Sequence, residues 1–238
     1  MLTTTDLQLV VRRIPRDVRD LMMREPLFLA GGFIRECISG GKVQDIDMFG
    51  ISKEDLGIIA HHLYLSRMQA GETPKRHETK CAYSVFSPPR VPVQFIHAWC
   101  YDDPNKLIDE LDFTVCQAAV WYSRESKGWR SIISDGFYPD LAARRLVYTF
   151  PKRVEAAGGS LMRVRKFLAR GWNIQAHSLA GVVARLVGGI DETRLGGLMS
   201  EGRTIEQARH AALKGLLHEV DPLLVIDAVE PRDEEEEQ

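Results

Sequence analysis

Two aspartates, Asp45 and Asp47, stand one apolar residue apart in the stretch VQDIDMF, downstream of a glycine pair, Gly31-Gly32, in AGGFIRE. In a strand, residues i and i+2 face the same side with α-carbons about 6.6 Å apart, so both carboxylates emerge side by side. Oxygen donors so placed suit hard divalent cations such as Mg2+. Two such ions about 4 Å apart activate an attacking oxygen and neutralise a leaving pyrophosphate. An Asp-x-Asp also caps turns, so the pair alone leaves both readings open. The glycines supply a complementary half, because they let backbone N–H groups approach a phosphate at a helix start, where the helix dipole favours an anion. Arg35 follows in the same turn. Its guanidinium can pair bidentately with phosphate oxygens, or it is a solvent-exposed helix arginine.

Positioning these groups requires a strand, a turn, a helix and a second strand. Leu27 to Ala30 is a short apolar run stopped by Gly31-Gly32, Phe33 to Ile38 reads as a helix, and Val43 to Phe49 reads as a strand. Ahead of them, Val18, Leu21 and Met22 repeat at helical spacing between Arg16 and Arg24, with Pro15 near the first turn. Lys53 to Met68 carries Leu56, Ile59, Ala60 and Leu63 on one helical face, which should pack on the sheet. Ala82 to Phe86, Val91 to His97 and Trp129 to Ile133 are strand candidates, while Phe113 to Tyr122 fits a strand or a buried helix. Beyond Pro139 the pattern turns helical, with Leu161, Val164, Phe167 and Leu168 on one face, and continues through Ala176 to Leu186 and Ile205 to Leu217.

The 238 residues, 45% hydrophobic, suffice for a real core. With 31 basic against 33 acidic residues, no global field draws a polyanion, so any such partner must be held locally. Cys37, Cys81, Cys100 and Cys116 form no CxxC pair, and the N-terminus lacks the phases of a signal peptide, which predicts a reducing, cytoplasmic setting. No apolar run approaches the roughly 20 residues that span a bilayer.

GGFIRE followed by DIDMF resembles the signature of the polymerase-beta-like nucleotidyltransferases, in particular the head domain of tRNA CCA-adding enzymes and bacterial poly(A) polymerases. Asp112-Phe113-Thr114-Val115 is similar to that family's RRDFT(I/V)N element. Asp135-Gly136 with Asp140-Leu141 resembles its glycine-and-DL segment, and Ser160 to Phe167 resembles its EDxxRxxR helix. The matches run in family order over roughly residues 27 to 170.

The resemblance implies an α+β fold, a palm-like mixed sheet flanked by helices and followed by a short helical C-terminal region. It implies two Mg2+ ions on Asp45 and Asp47, triphosphate contacts from Gly31, Gly32 and Arg35, and further nucleotide contacts from Asp112, Arg163 and Lys166. The expected reaction moves a nucleoside monophosphate from a nucleoside triphosphate to an acceptor, with an RNA 3′ end, such as that of tRNA, as the leading candidate. Three departures bear on specificity. The strand expected to bring a third carboxylate offers Gln94. The paired arginines are replaced by Glu110-Leu111, and the acidic pair by Gly159-Ser160, while Arg163 is kept and Lys166 stands for the later arginine. Loss of that acid argues against strict CCA selection.

Eight basic residues between Arg144 and Arg170, against Glu155 alone, suit a phosphate backbone, although a surface helix has the same look. His61-His62 has no zinc-type companions. The tryptophans read as core or junction residues, and Ser84 and Ser123 lack His-Asp partners. The expected organisation is a helical segment over 1–26, a nucleotidyltransferase domain over 27–139, a helical neck-like region over 140–231 and an acidic disordered tail over 232–238. Two other classes stay open: a small toxin- or resistance-type transferase that modifies a tRNA, a protein or a small molecule, and a non-catalytic nucleotide- or RNA-binding module.

Overall fold

The structure is a computed structural model that describes residues 1–152 and 156–220. The expectations for the acidic tail, for the helical region beyond residue 220, and for Arg153 and Glu155 fall outside the described residues. The chain divides into two compact units, Met1–Ala143 with Pro151–Arg153, and Arg144–Phe150 with Val154–Gln238.

In the first unit, two helices precede the sheet, α1 (Thr4–Arg13) and α2 (Arg16–Arg24). Thr3 caps α1 by accepting from the Asp6 amide, and α2 buries the Val18, Leu21 and Met22 face with Pro15 at its N-cap. The next elements are β1 (Phe28–Ala30), α3 (Gly32–Ser39), β2 (Ile46–Phe49), α4 (Lys53–Gln69), β3 (Lys75–Glu78), β4 (Ala82–Phe86) and β5 (Val93–Ile96). After them come α5 (Pro104–Asp109), a turn of 3-10 helix (Thr114–Cys116), β6 (Ala118–Ser123), β7 (Gly128–Ile133) and α6 (Phe137–Ala142).

The strands form one seven-stranded sheet in the order β3-β4-β5-β2-β1-β6-β7. All neighbours are antiparallel except β2 and β5, which run parallel. Ile46, Met48, Val93, Phe95 and Val85 are fully buried, and α3 packs on β2 while α4 packs on β4 and β5. The buried residues Leu56, Ile59, Ala60 and Leu63 of α4 are the predicted stripe, and Ser52 caps that helix by accepting from the Asp55 amide. This is the expected α+β architecture, a mixed sheet flanked by helices.

Two readings of the sequence need correction, and one strand lies outside them. The strand expected from Val43 begins at Ile46, so Asp45 immediately precedes it, although the Ile46 amide already donates to the Pro92 carbonyl at 2.9 Å. The Phe113 to Tyr122 run divides: the 3-10 turn buries Val115 and Cys116, and a strand begins at Ala118. Strand β3, Lys-Arg-His-Glu, is exposed at every position and has no apolar alternation; it is a strand because it pairs with β4 along the sheet edge.

The second unit holds β8 (Arg145–Leu146), α7 (Gly159–Ala169), β9 (Asn173–Ile174), α8 (Ala176–Gly188), α9 (Glu192–Ser200) and α10 (Ile205–His218). Strands β8 and β9 pair in parallel. A capping box between Thr204 and Gln207 starts α10, which buries Ala208, Ala212 and Leu216 four residues apart. In α7, Val164 and Phe167 are buried as expected, whereas Leu168 is 48% exposed and lies off the packed face. No helix among the described residues is long and apolar enough to cross a membrane.

Candidate functional site

The glycine turn that links β1 to α3 is held in one conformation. Gly31 has φ +75° and ψ −129°, a backbone region that L side chains rarely adopt, and its amide donates to the Ala118 carbonyl of β6 at 3.1 Å. Its amide is therefore committed to the sheet, and the residue's contribution is conformational. It aims the start of α3, whose first-turn amides have no acceptor within the helix and carry the positive end of the dipole. A side chain at Gly32 would lie 3.4 Å from Nη2 of Arg35, so the guanidinium folds back over this turn.

Arg35 is not the surface arginine of the alternative reading. It is 5% exposed. Its Nε and Nη2 donate to Glu36 Oε1 at 3.0 and 2.8 Å, and its Nη1 donates to the Cys116 sulfur at 3.2 Å. Burial works against its charge, but Cys116, Glu36 and Asp45 outweigh burial and hold its pKa above the ordinary arginine range. The guanidinium is thus electrostatically coupled to Asp45, across the turn from the carboxylate pair.

Asp47 lies on β2 and Asp45 two residues before it, both half-buried. On the neighbouring parallel strand Gln94 stands opposite Asp47, Ser84 of β4 stands opposite Gln94, and His77 of β3 stands opposite Ser84. Paired positions share a sheet face. Asp47, Gln94, Ser84 and His77 therefore form one polar row from the middle of the sheet to its edge, on the face away from α4. The Ser84 side-chain oxygen is buried and has no hydrogen-bond partner.

Two further acids sit near the 3-10 turn. Asp112 is 2% exposed just before that turn, and Asp140 on α6, 3% exposed, accepts from the Thr114 hydroxyl at 2.6 Å. Arg163 and Lys166 belong to the second unit, half-buried and three residues apart on α7, where side chains at that spacing are neighbours. Sequence reasoning missed Glu36, Cys116 and Ser84 as neighbours of the site. Glu36 was within reach as part of GGFIRE, but nothing local marks Cys116 or Ser84.

Asp45 and Asp47 offer hard, half-exposed oxygen donors, which fit a Mg2+ ion that takes its remaining ligands from water and a substrate. Among the described residues, no group of three or more His, Cys, Asp or Glu side chains is arranged to hold a metal ion.

A family model described as Gad2, Gabija anti-defense 2 family protein, matches residues 2–144. No curated protein matches the chain in sequence. Among solved structures, the Thermotoga maritima CCA-adding enzyme complexed with tRNA_CCA aligns with a TM-score of 0.50 at 18% identity, over 92% of this chain and 52% of that one. A CCA-adding enzyme complexed with CTP gives 0.51 at 19%, and one with ATP 0.51 at 18%, with the same coverage. The chain spans about half the length of these enzymes. At such identity the likeness establishes the fold, that of the polymerase-beta-like nucleotidyltransferases.

Proposed function

The chain belongs to the Gabija anti-defense 2 family, and we propose that it is a metal-dependent, template-independent nucleotidyltransferase. It moves a nucleoside monophosphate from a nucleoside triphosphate to an acceptor. The observation that carries this reading is the Asp45/Asp47 pair, Asp47 on β2 and Asp45 just before it, set beside the Gly31-Gly32 turn and the start of α3 within a nucleotidyltransferase fold.

Asp45 and Asp47 would hold Mg2+, two ions in the full reading. Bound there, the metal lowers the pKa of an attacking hydroxyl and neutralises charge on the leaving pyrophosphate. The chain's own contribution is placement. The α3 start receives phosphate oxygens, the Gly31 conformation fixes its direction, and the buried Arg35 adds positive potential beside Asp45 and the triphosphate. Asp112 is assigned to the nucleotide, and Arg163 and Lys166, on the second unit, carry positive charge suited to phosphate oxygens. Gln94 occupies the third-ligand position and supplies at most a neutral oxygen.

Two acceptors are supported by different observations. An RNA 3′ end is favoured by the fold shared with CCA-adding enzymes, one of them bound to tRNA_CCA, and by the basic residues of Arg144 to Arg170. The family description favours a component of the Gabija defence, modified in order to disable it. The test is transfer from each α-labelled ribonucleoside triphosphate, with Mg2+, to total tRNA and separately to purified Gabija proteins. Label in RNA supports the first acceptor and label in the defence proteins the second. Nucleotide binding without label or pyrophosphate release in either mixture would overturn the transferase reading and leave a binding module.

A further inference from the structure

Helix α8 of the second unit is apolar on both of its sides. One side, with Ser178, Gly181, Val182 and Leu186, is buried in the unit. The other side is exposed. Leu179, Val183 and Val187, four residues apart, are 37%, 44% and 50% exposed. Beside them runs a second exposed row at the same spacing, Ala176, Ala180 and Ala184. Among Asp, Glu, Lys and Arg the helix holds Arg185 alone, which is half-buried and donates from Nη1 to the Tyr148 hydroxyl at 3.4 Å. The exposed side therefore carries no fixed charge. Surface helices ordinarily put charged and polar residues there, and a helix apolar all round is one that is covered all round.

An aromatic ring extends this face. Phe150 is 54% exposed and has φ +54°, a backbone region that L side chains rarely adopt. A side chain at Gly181 would lie 2.6 Å from its ring, and the exposed His177 ring lies 6.3 Å away between centroids. Gly181 and Ala184 follow His177 by four and seven residues, so Phe150 flanks the alanine row. An exposed aromatic in a strained backbone, beside a helix face without charge, has the composition of an interface centre, where aromatic residues are enriched and charged ones depleted.

We propose that this face joins two copies of the chain, their α8 helices crossing about a two-fold axis that runs along the two rows. Shape selects a second copy as the occupant. The Leu179/Val183/Val187 row is a high ridge and the alanine row beside it a low one. Rotation about that axis lays the high ridge of each helix over the low ridge of the other, so the surface is complementary to itself, as a two-fold interface requires. Nucleic acid finds no cation among these rows to hold its phosphates. One helix crossing with a flanking ring is a small interface, and the dimer is accordingly a weak one.

The experiment is sedimentation equilibrium of the full chain, wild type beside two variants, with far-UV circular dichroism melting as the check on folding. The wild type is expected to dimerise reversibly with a midpoint of about 10–50 µM. Val183→Glu, which sets a charge on the high ridge, should weaken the dimer at least about tenfold with melting unchanged. Ala180→Leu makes the face more apolar but fills the low ridge, and it should also weaken the dimer at least about tenfold. A wild type that stays monomeric to about 500 µM would overturn the proposal, since another partner then covers the face. An undiminished dimer in Val183→Glu would place the contact elsewhere and overturn it too. Tighter association in Ala180→Leu would show unspecific adhesion in place of the paired ridges. Loss of folding in Val183→Glu would mean that the chain itself packs on this side of α8, with the same consequence.

Discussion

Asp47 and Gln94 stand opposite one another on the parallel strands β2 and β5, so the sheet neighbour of the aspartate pair is an amide where a carboxylate was expected. That neighbour adds no charge to the pair, and removal of the pair's own charge should be decisive. Asp47→Asn is close to isosteric at a half-buried position, so it should leave the thermal unfolding midpoint within about 2 °C of wild type. Nucleotidyl transfer should fall by at least about a hundredfold, since the lost charge acts on the transition state. Calorimetry beside a transfer assay checks both halves.

Gly31 and Gly32 separate conformation from space. Gly31→Ala meets no atom within 4 Å, but it forces a side chain into φ +75°. That should cost about 2 kcal/mol in urea unfolding, from backbone strain alone. Gly32→Ala meets the Arg35 guanidinium at an ordinary 3.4 Å and should be near neutral for stability, with its effect confined to nucleotide affinity.

Arg35→Ala should destabilise the first unit by about 3 kcal/mol. It removes one partner of a pair whose side chains are 6% and 13% exposed and leaves Glu36 with an uncompensated charge. Arg35→Ala combined with Glu36→Gln should recover part of the loss. Chemical denaturation of the single and double variants tests the coupling.

Ser84→Ala should do the reverse in the free protein. Removing a buried hydroxyl that has no partner is expected to raise the unfolding midpoint by about 2–4 °C. Thermal shift assays measure the difference directly.

His97 supplies a pH test. Burial, with Lys53 adding to it, holds its pKa below the ordinary histidine value of about 6.5. The folded state binds this proton less readily than the unfolded chain. Its contribution to stability is thus complete above about pH 6.5 and is lost as pH falls from there toward the depressed folded value. Urea midpoints at pH 7.5 and 5.5 should differ more for wild type than for His97→Gln.

The strands and helices that carry the site were legible in the sequence because local signals agreed with the fold. Glycines broke the chain where β1 ends, and α4 showed its stripe from Leu56 to Leu63. Strand β3 was invisible because an edge strand made of Lys, Arg, His and Glu has pairing but no burial to pattern it. The site was half legible. Gln94 beside the pair followed from the family resemblance, whereas the Arg35 contact with Cys116 joins residues far apart in sequence and leaves no local trace.

Transfer of α-labelled nucleoside monophosphate, with Mg2+, by wild type beside Asp45→Asn/Asp47→Asn, scored together with pyrophosphate release, tests the transferase reading most directly. Label in an acceptor and equimolar pyrophosphate are expected from the wild type alone. Equal transfer by the double variant would contradict that reading.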